Sequence, residues 1–180
     1  MNRICIFAGS RVSDDPSHAE AARQLAAVLC EKGLGAVYGG GDVGMMGIFA
    51  DAMLERGGEL HGVIPGFMVA KELQHPRVSP MHVVESMAER KALMTELSVA
   101  FVALPGGVGT LDEVFEMLTA RQLNLQPHPV GLLDVGGYFD PLDQQMKLAH
   151  RHGYVGDLDM DRFIVETDPS RLIDRLLAAR

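Results

Sequence analysis

Chemistry-bearing residue types are most concentrated in Pro105-Gly106-Gly107-Val108-Gly109-Thr110-Leu111-Asp112-Glu113. Glycines directly ahead of a helix let backbone N–H groups approach a phosphate without Cβ interference, and the helix N-terminus adds partial positive charge. Thr110 adds a hydroxyl and Glu113 a carboxylate. The spacing is neither G-x-G-x-x-G nor G-x-x-x-x-G-K-[ST], so it does not support dinucleotide hydride transfer or P-loop ATP hydrolysis. A purely structural reading competes, because Thr110 and Glu113 also have the spacing of a capping box and Asp112 and Glu113 complement the helix dipole. On a helical wheel Leu111, Val114, Phe115 and Leu118 form the core stripe, and Glu113 points away from it, toward the phosphate cradle.

A second cluster begins at Ser86. Ser86 and Glu89 offer another capping box, followed by Arg90-Lys91 and a helix through Leu97 that turns Leu93, Met94 and Leu97 to the protein. Arg90 falls on that same stripe. A buried guanidinium without an anion is costly, so Arg90 must snorkel to water or meet a carboxylate or phosphate. Structural pairing and ligand binding both remain open for it, while Lys91 taken alone reads as a solvated surface charge. Cys5 and Cys30 read as buried, reduced thiols. His150 and His152 lie two apart on a helix and face different directions, and no protein-ligated metal is expected.

These residues need a scaffold, and the sequence describes one. Apolar runs recur at Ile4 to Ala8, Ala36 to Tyr38, His61 to Ile64, His82 to Val84, Val99 to Leu104, Val130 to Leu133 and Phe163 to Val165, with helix-length segments between them. Several runs are apolar at successive positions, which is the pattern of parallel strands covered on both faces. The expected fold is α/β: a Rossmann-like, three-layer domain spanning residues 1–180, with a mainly parallel sheet of about seven strands. Ser17 and Glu20 signal the first helix, which runs to Gly33 with Ala21, Leu25, Val28 and Leu29 at helical spacing. A last helix from about Ser170 carries Leu172, Ile173, Leu176 and Leu177, suited to docking on the sheet edge. Ligands in such sheets bind at the carboxyl ends of strands. Gly9-Ser10, Gly39-Gly40-Gly41 and Pro105 to Thr110 each follow a strand and can converge on one pocket.

Composition restricts the partners. The formal net charge is -8 over 180 residues with 6% aromatics, the pI is near 5.3 and the mean hydropathy is +0.10. That balance argues against a protein that neutralises many nucleic-acid phosphates, so any bound phosphate is expected on a small molecule. No stretch approaches the roughly 18 apolar residues of a membrane span, and Met1 to Arg11 leads straight into a strand pattern; the expectation is a cytoplasmic protein with neither membrane nor nucleic-acid partners.

Tyr38-Gly39-Gly40-Gly41 through Gly44-Met45-Met46-Gly47, Met87-Ala88-Glu89-Arg90-Lys91, and Pro105-Gly106-Gly107-Val108-Gly109-Thr110-Leu111-Asp112-Glu113 together resemble the Lonely Guy (LOG) family, cytokinin riboside 5'-monophosphate phosphoribohydrolases. The likeness runs from the first strand past the Gly136-Gly137-Tyr138 turn. It implies that Arg90 and Glu113 are the catalytic pair. It implies substrate contacts at Glu72, Arg90, Lys91, Gly107, Val108, Gly109, Thr110, Leu111, Asp112, Glu113 and Thr119. Ala88 and Ala120 depart from the histidine and tryptophan common in the family, which bears on the base pocket or on oligomer contacts. Family members have often been labelled lysine decarboxylases, but none of Lys32, Lys71, Lys91 and Lys147 stands in a context that suggests pyridoxal phosphate. The resemblance therefore implies a hydrolase without a cofactor, acting on AMP or N6-modified AMP, and a homodimer for which Ser86 to Leu97 and Thr110 to Leu123 are candidate interface helices, their apolar stripes being equally readable as intramolecular core. A non-catalytic nucleotide sensor or carrier is the alternative. A single-stranded DNA-binding module on the same scaffold is disfavoured by the acidic charge and low aromatic content.

Overall fold

The structure is a computed structural model that describes residues 2–71, 73–160 and 163–179. Arg3–Phe7 forms the central strand, β1. Successive side chains of a strand point to opposite faces, so Ile4 and Ile6 enter one core while Cys5 and Phe7 enter the other. The same alternation continues through β2 (Gly35–Tyr38) and β5 (Ala100–Ala103), which flank β1. Both faces are therefore covered, and β1, β2 and β5 read as unbroken apolar runs for that reason.

β3 (Leu60–Pro65), β4 (Met81–Val84), β6 (Val130–Leu133) and β7 (Phe163–Glu166) complete a seven-stranded sheet in the order β4-β3-β2-β1-β5-β6-β7, with every strand pairing parallel. The helices are α1 (Pro16–Glu31), α2 (Gly44–Glu55), α3 (Gly66–Val69), α4 (Met87–Glu96), α5 (Val108–Gln122), α6 (Asp140–Arg151), α7 (Asp157–Met160) and α8 (Pro169–Ala178). α1, α2 and α8 cover one face through Leu25, Leu29, Phe49, Met53, Leu172 and Ile173; α4, α5 and α6 cover the other through Met94, Val114, Met117 and Met146. This is the Rossmann-like α/β architecture expected from the sequence. Leu25 is wholly buried between α1 and the sheet, a position where truncation to alanine costs about 2–5 kcal/mol.

Three local expectations need correction. The first helix is capped by Asp15, whose carboxylate accepts from the Ser17 N–H at 2.9 Å, and not by Ser17. Thr110 and Glu113 do not form a capping box: α5 starts at Val108 with Gly107 as its N-cap, so Thr110 already lies within the helix. Phe115 is exposed, and the buried stripe of α5 is Thr110, Val114, Met117 and Arg121. The wheel drawn from apolar residues alone was turned outward because two polar residues occupy inward positions.

The chain runs outward from β1 through β2, β3 and β4, then returns to the other side of β1 as β5. That reversal opens a crevice at the carboxyl ends of β1 and β5, where α/β sheets bind ligands.

Candidate active site

At that crevice lies a cleft of about 720 Å³, within the range of small-molecule sites. Its walls come from the turn after β1 (Gly9 to Ser13), the start of α2 (Met45, Met46), the start of α4 (Met87, Arg90) and the turn from Pro105 into α5. Gly9-Ser10 and Pro105 to Thr110 thus converge as expected. The third glycine turn acts one step behind the wall, through Arg90.

Arg90 is buried on the inner side of α4, and among the described residues it pairs with backbone carbonyls and not with a carboxylate. Its Nε donates to the Val63 carbonyl at 3.1 Å and its Nη2 to the Gly39 carbonyl at 2.8 Å, at the carboxyl ends of β3 and β2. Two strand-end carbonyls thereby supply the acceptors that the sequence left unassigned. A Cβ on Gly39 would overlap the guanidinium, which is why this turn needs glycine there. The turn is held from its other side as well, by the His75 N–H on the Gly40 carbonyl (2.9 Å) and the Asp42 N–H on the Leu73 carbonyl (3.0 Å).

The first N–H groups of a helix have no intrahelical acceptor. In α5 the first closing bond runs from the Leu111 N–H to the Gly107 carbonyl at 3.1 Å. Among the described residues, the N–H groups of Val108, Gly109 and Thr110 donate to nothing, and no side chain caps them. The Thr110 hydroxyl is also buried without a hydrogen-bond partner. A buried polar atom normally has one, so this cluster of donors is complete only with an acceptor in the cleft. A Cβ on Gly106 would run into the Thr110 side chain. The Tyr138 hydroxyl fixes the turn from outside by donating to the Gly106 carbonyl at 2.6 Å.

One and a half turns along α5, Glu113 faces the same cleft, half-buried and with no hydrogen bond or ion pair among the described residues. Burial raises its pKa to about 7; the charge of Arg90 opposes the rise and that of Asp112 adds to it. A carboxyl poised near neutrality beside a cation is suited to proton transfer or to stabilising positive charge.

Of the other expected contacts, Gly107, Val108, Gly109 and Asp112 line the cleft and Lys91, Leu111 and Thr119 do not. Leu111 packs into the second core, and Thr119 is exposed on α5. Lys91 is no free surface charge: it bridges α4 to α5 through Glu116 and, at 3.2 Å, Asp112. Its pKa is raised first by the hydrogen bond that it donates to Glu116 and by the one to Asp112 as well. Lys91 lines a separate concavity of about 510 Å³ that also holds Ala88 and Ala120, the two departures from the family pattern. Glu72 lies outside the described residues. Arg11, Ser13, His18 and Tyr138 belong to the cleft although residue types did not single them out; for Arg11, Ser13 and Tyr138, in the turns after β1 and β6, position after a strand end was the available signal, whereas His18 enters from the first turn of α1.

Comparison with known proteins bears on this site. The family described as "Possible lysine decarboxylase" matches residues 46–176. A probable cytokinin riboside 5'-monophosphate phosphoribohydrolase of Oryza sativa subsp. japonica, LOGL1, is 46% identical over 142 residues, covering 79% of this chain and 64% of that protein. The cytokinin riboside 5'-monophosphate phosphoribohydrolase LOG of the same plant is 38% identical over 171 residues, 95% of this chain and 70% of its own length. Among solved structures, the molybdenum cofactor carrier protein of Chlamydomonas reinhardtii superposes with a TM-score of 0.74 at 22% identity, covering 98% of each chain, and shares the fold.

Proposed function

Because this chain belongs to the Lonely Guy family of phosphoribohydrolases, we propose that it hydrolyses the N-glycosidic bond of a purine riboside 5'-monophosphate to free base and ribose 5-phosphate. The observation that carries the reading is the set of unpaired donors at the start of α5, Val108 to Thr110, beside a carboxyl whose pKa is about 7. Residues 1–180 act as one nucleotide-binding unit. The 5'-phosphate accepts from the free N–H groups and the Thr110 hydroxyl, which directs the ribose toward Glu113 and Arg90.

Departure of the base takes the glycosidic electron pair onto nitrogen and leaves positive charge on the ribose. The Glu113 carboxylate stabilises that charge and accepts a proton from the water that bonds to the anomeric carbon; the base nitrogen is protonated from solvent. Arg90, fixed by two carbonyls, keeps Glu113 ionised enough to act and orients the nucleotide. Decarboxylation of lysine calls for a lysine that can lose its proton inside the cleft. No described lysine lines it, and the pKa of Lys91 is moved up by its acidic partners.

Chromatography of free bases after incubation with AMP and with N6-isopentenyladenosine monophosphate tests the reaction and ranks the two bases. Base release that disappears in Glu113→Gln is the expected result. Binding without release from either nucleotide would establish a sensor or carrier in its place. We also assign α4 and α5 to a homodimer interface, since Phe115, Leu123 and Leu125 expose apolar surface there. Light scattering on the purified protein checks this, and a monomer would overturn it.

A further inference from the structure

A phosphate dianion arriving at the start of α5 meets two carboxylates on that same helix, Asp112 and Glu113. Its charge needs a cation, and the described lining of the cleft supplies two guanidinium groups, Arg90 and Arg11. Arg90 is fixed in place, with Nε and Nη2 held on the Val63 and Gly39 carbonyls, and its charge already acts on Glu113. Lys91, which does not line the cleft, is committed to Asp112 and Glu116. Arg11 is exposed, and its guanidinium has no hydrogen bond or ion pair among the described residues.

The backbone of Arg11, in contrast, is pinned. The Met45 N–H donates to its carbonyl at 3.3 Å, and the Met46 N–H donates to the Gly9 carbonyl at 3.2 Å. Whereas the Val108, Gly109 and Thr110 N–H groups of α5 stay free among the described residues, these bonds occupy the Met45 and Met46 N–H groups at the start of α2. They also hold the turn after β1 against the phosphate-binding turn: a Cβ built on Gly9 would lie 3.7 Å from the Gly106 Cα. Arg11 therefore combines a backbone pinned to the start of α2 with an exposed cation that has no partner among the described residues, the arrangement that lets an arginine fold onto a phosphate once one is present.

We infer that Arg11 is a substrate-binding residue whose guanidinium pairs with the 5'-phosphate seated on Val108 to Thr110, so that the cleft selects nucleotides over nucleosides. This rests on the phosphoribohydrolase reading above. The pairing exists only with ligand, so replacing Arg11 removes no contact of the free protein and should leave the melting temperature in place.

The test compares wild type, Arg11→Gln and Arg11→Lys on AMP and on adenosine, with calorimetric titration of ribose 5-phosphate alongside. Arg11→Gln is expected to raise KM for AMP about 10- to 100-fold, as loss of a charge-assisted hydrogen bond does, and to shrink the preference for AMP over adenosine by a similar factor. Arg11→Lys should recover part of that loss, and the difference from wild type should narrow as salt is added. Base release from AMP with the same KM in Arg11→Gln would overturn the role of Arg11 and leave the hydrolase reading standing. Absence of base release by wild type, together with ribose 5-phosphate binding that weakens in Arg11→Gln, would overturn the hydrolase reading and leave Arg11 as a phosphate ligand.

Discussion

α4 and α5 begin with the same pattern, a hydroxyl residue followed three positions later by glutamate, and use it in opposite ways. At α4 the Ser86 hydroxyl accepts from the Glu89 N–H at 3.1 Å, and Glu89 reaches back to the Glu85 N–H at 3.0 Å. Hydroxyl and carboxylate are both consumed in ending the helix. At α5 the helix begins earlier, on Gly107, which an N-cap tolerates at little cost. Thr110 and Glu113 are thereby carried into the helix and turned toward the cleft with their polar atoms unpaired. A helix start that satisfies its own donors is structure, and one that leaves them open is available to a ligand.

Exchanging carboxylates across the two starts should give the widest separation. Glu113→Gln is expected to lower kcat by about 10²–10⁴-fold, the usual range for a positioned acid–base group, while AMP still binds in calorimetry. Glu89→Gln should change turnover little, because its carboxylate serves only the Glu85 N–H. Equal losses in the two variants would mean that the two helix starts do not differ in function.

The pH dependence follows from the same residue. Glu113 is expected to work as a carboxylate, so kcat/KM should rise with pH through about 7 and level off above it, and that limb should be missing from what activity Glu113→Gln retains. Stability moves the other way. The folded-state pKa of about 7 lies above the ordinary glutamate value of 4.5, so the folded protein binds the proton more tightly. Glu113 therefore costs stability progressively as pH rises from about 4.5 to about 7, and the penalty is constant beyond. Denaturant titrations at pH 4.5 and pH 8 should show Glu113→Gln gaining on wild type at the higher pH; a constant gap would contradict the shift.

Hydroxyls give the smaller contrasts. Thr110→Val should weaken AMP binding about tenfold or more, the worth of one hydrogen bond to a charged group. It should not lower the melting temperature, because the hydroxyl has no partner to lose. Ser86→Ala should do the reverse, costing about 1 kcal/mol of stability and about 2–4 °C in melting temperature with AMP affinity retained. Affinity that followed Ser86 instead of Thr110 would put the binding site at the wrong helix.

The sheet was legible because its signal is local. All seven apolar runs became strands, with no bound moved by more than one residue, since burial on both faces leaves little room for polar residues in a parallel strand. Two turns of the candidate site could be read in the same way, from glycines following strands. The acceptors of Arg90 could not: they are the Gly39 and Val63 carbonyls, 51 and 27 residues away, and every residue carries a carbonyl, so composition gives no sign of which one serves. Lys91 and Arg11 were hidden for related reasons. The sequence shows their charge but not whether Asp112 and Glu116 will claim it or nothing will.

By itself, then, the sequence determined the parallel α/β sheet, the glycine turn at Pro105 and the residue types, Arg90 and Glu113, available for catalysis. Tertiary structure alone decided that α5 starts at Gly107, that Thr110 stays unpaired, and that Glu113 titrates near 7. The physical reason is that strand and turn signals come from neighbouring residues, whereas capping, pairing and desolvation depend on which distant groups the fold brings within a few ångströms.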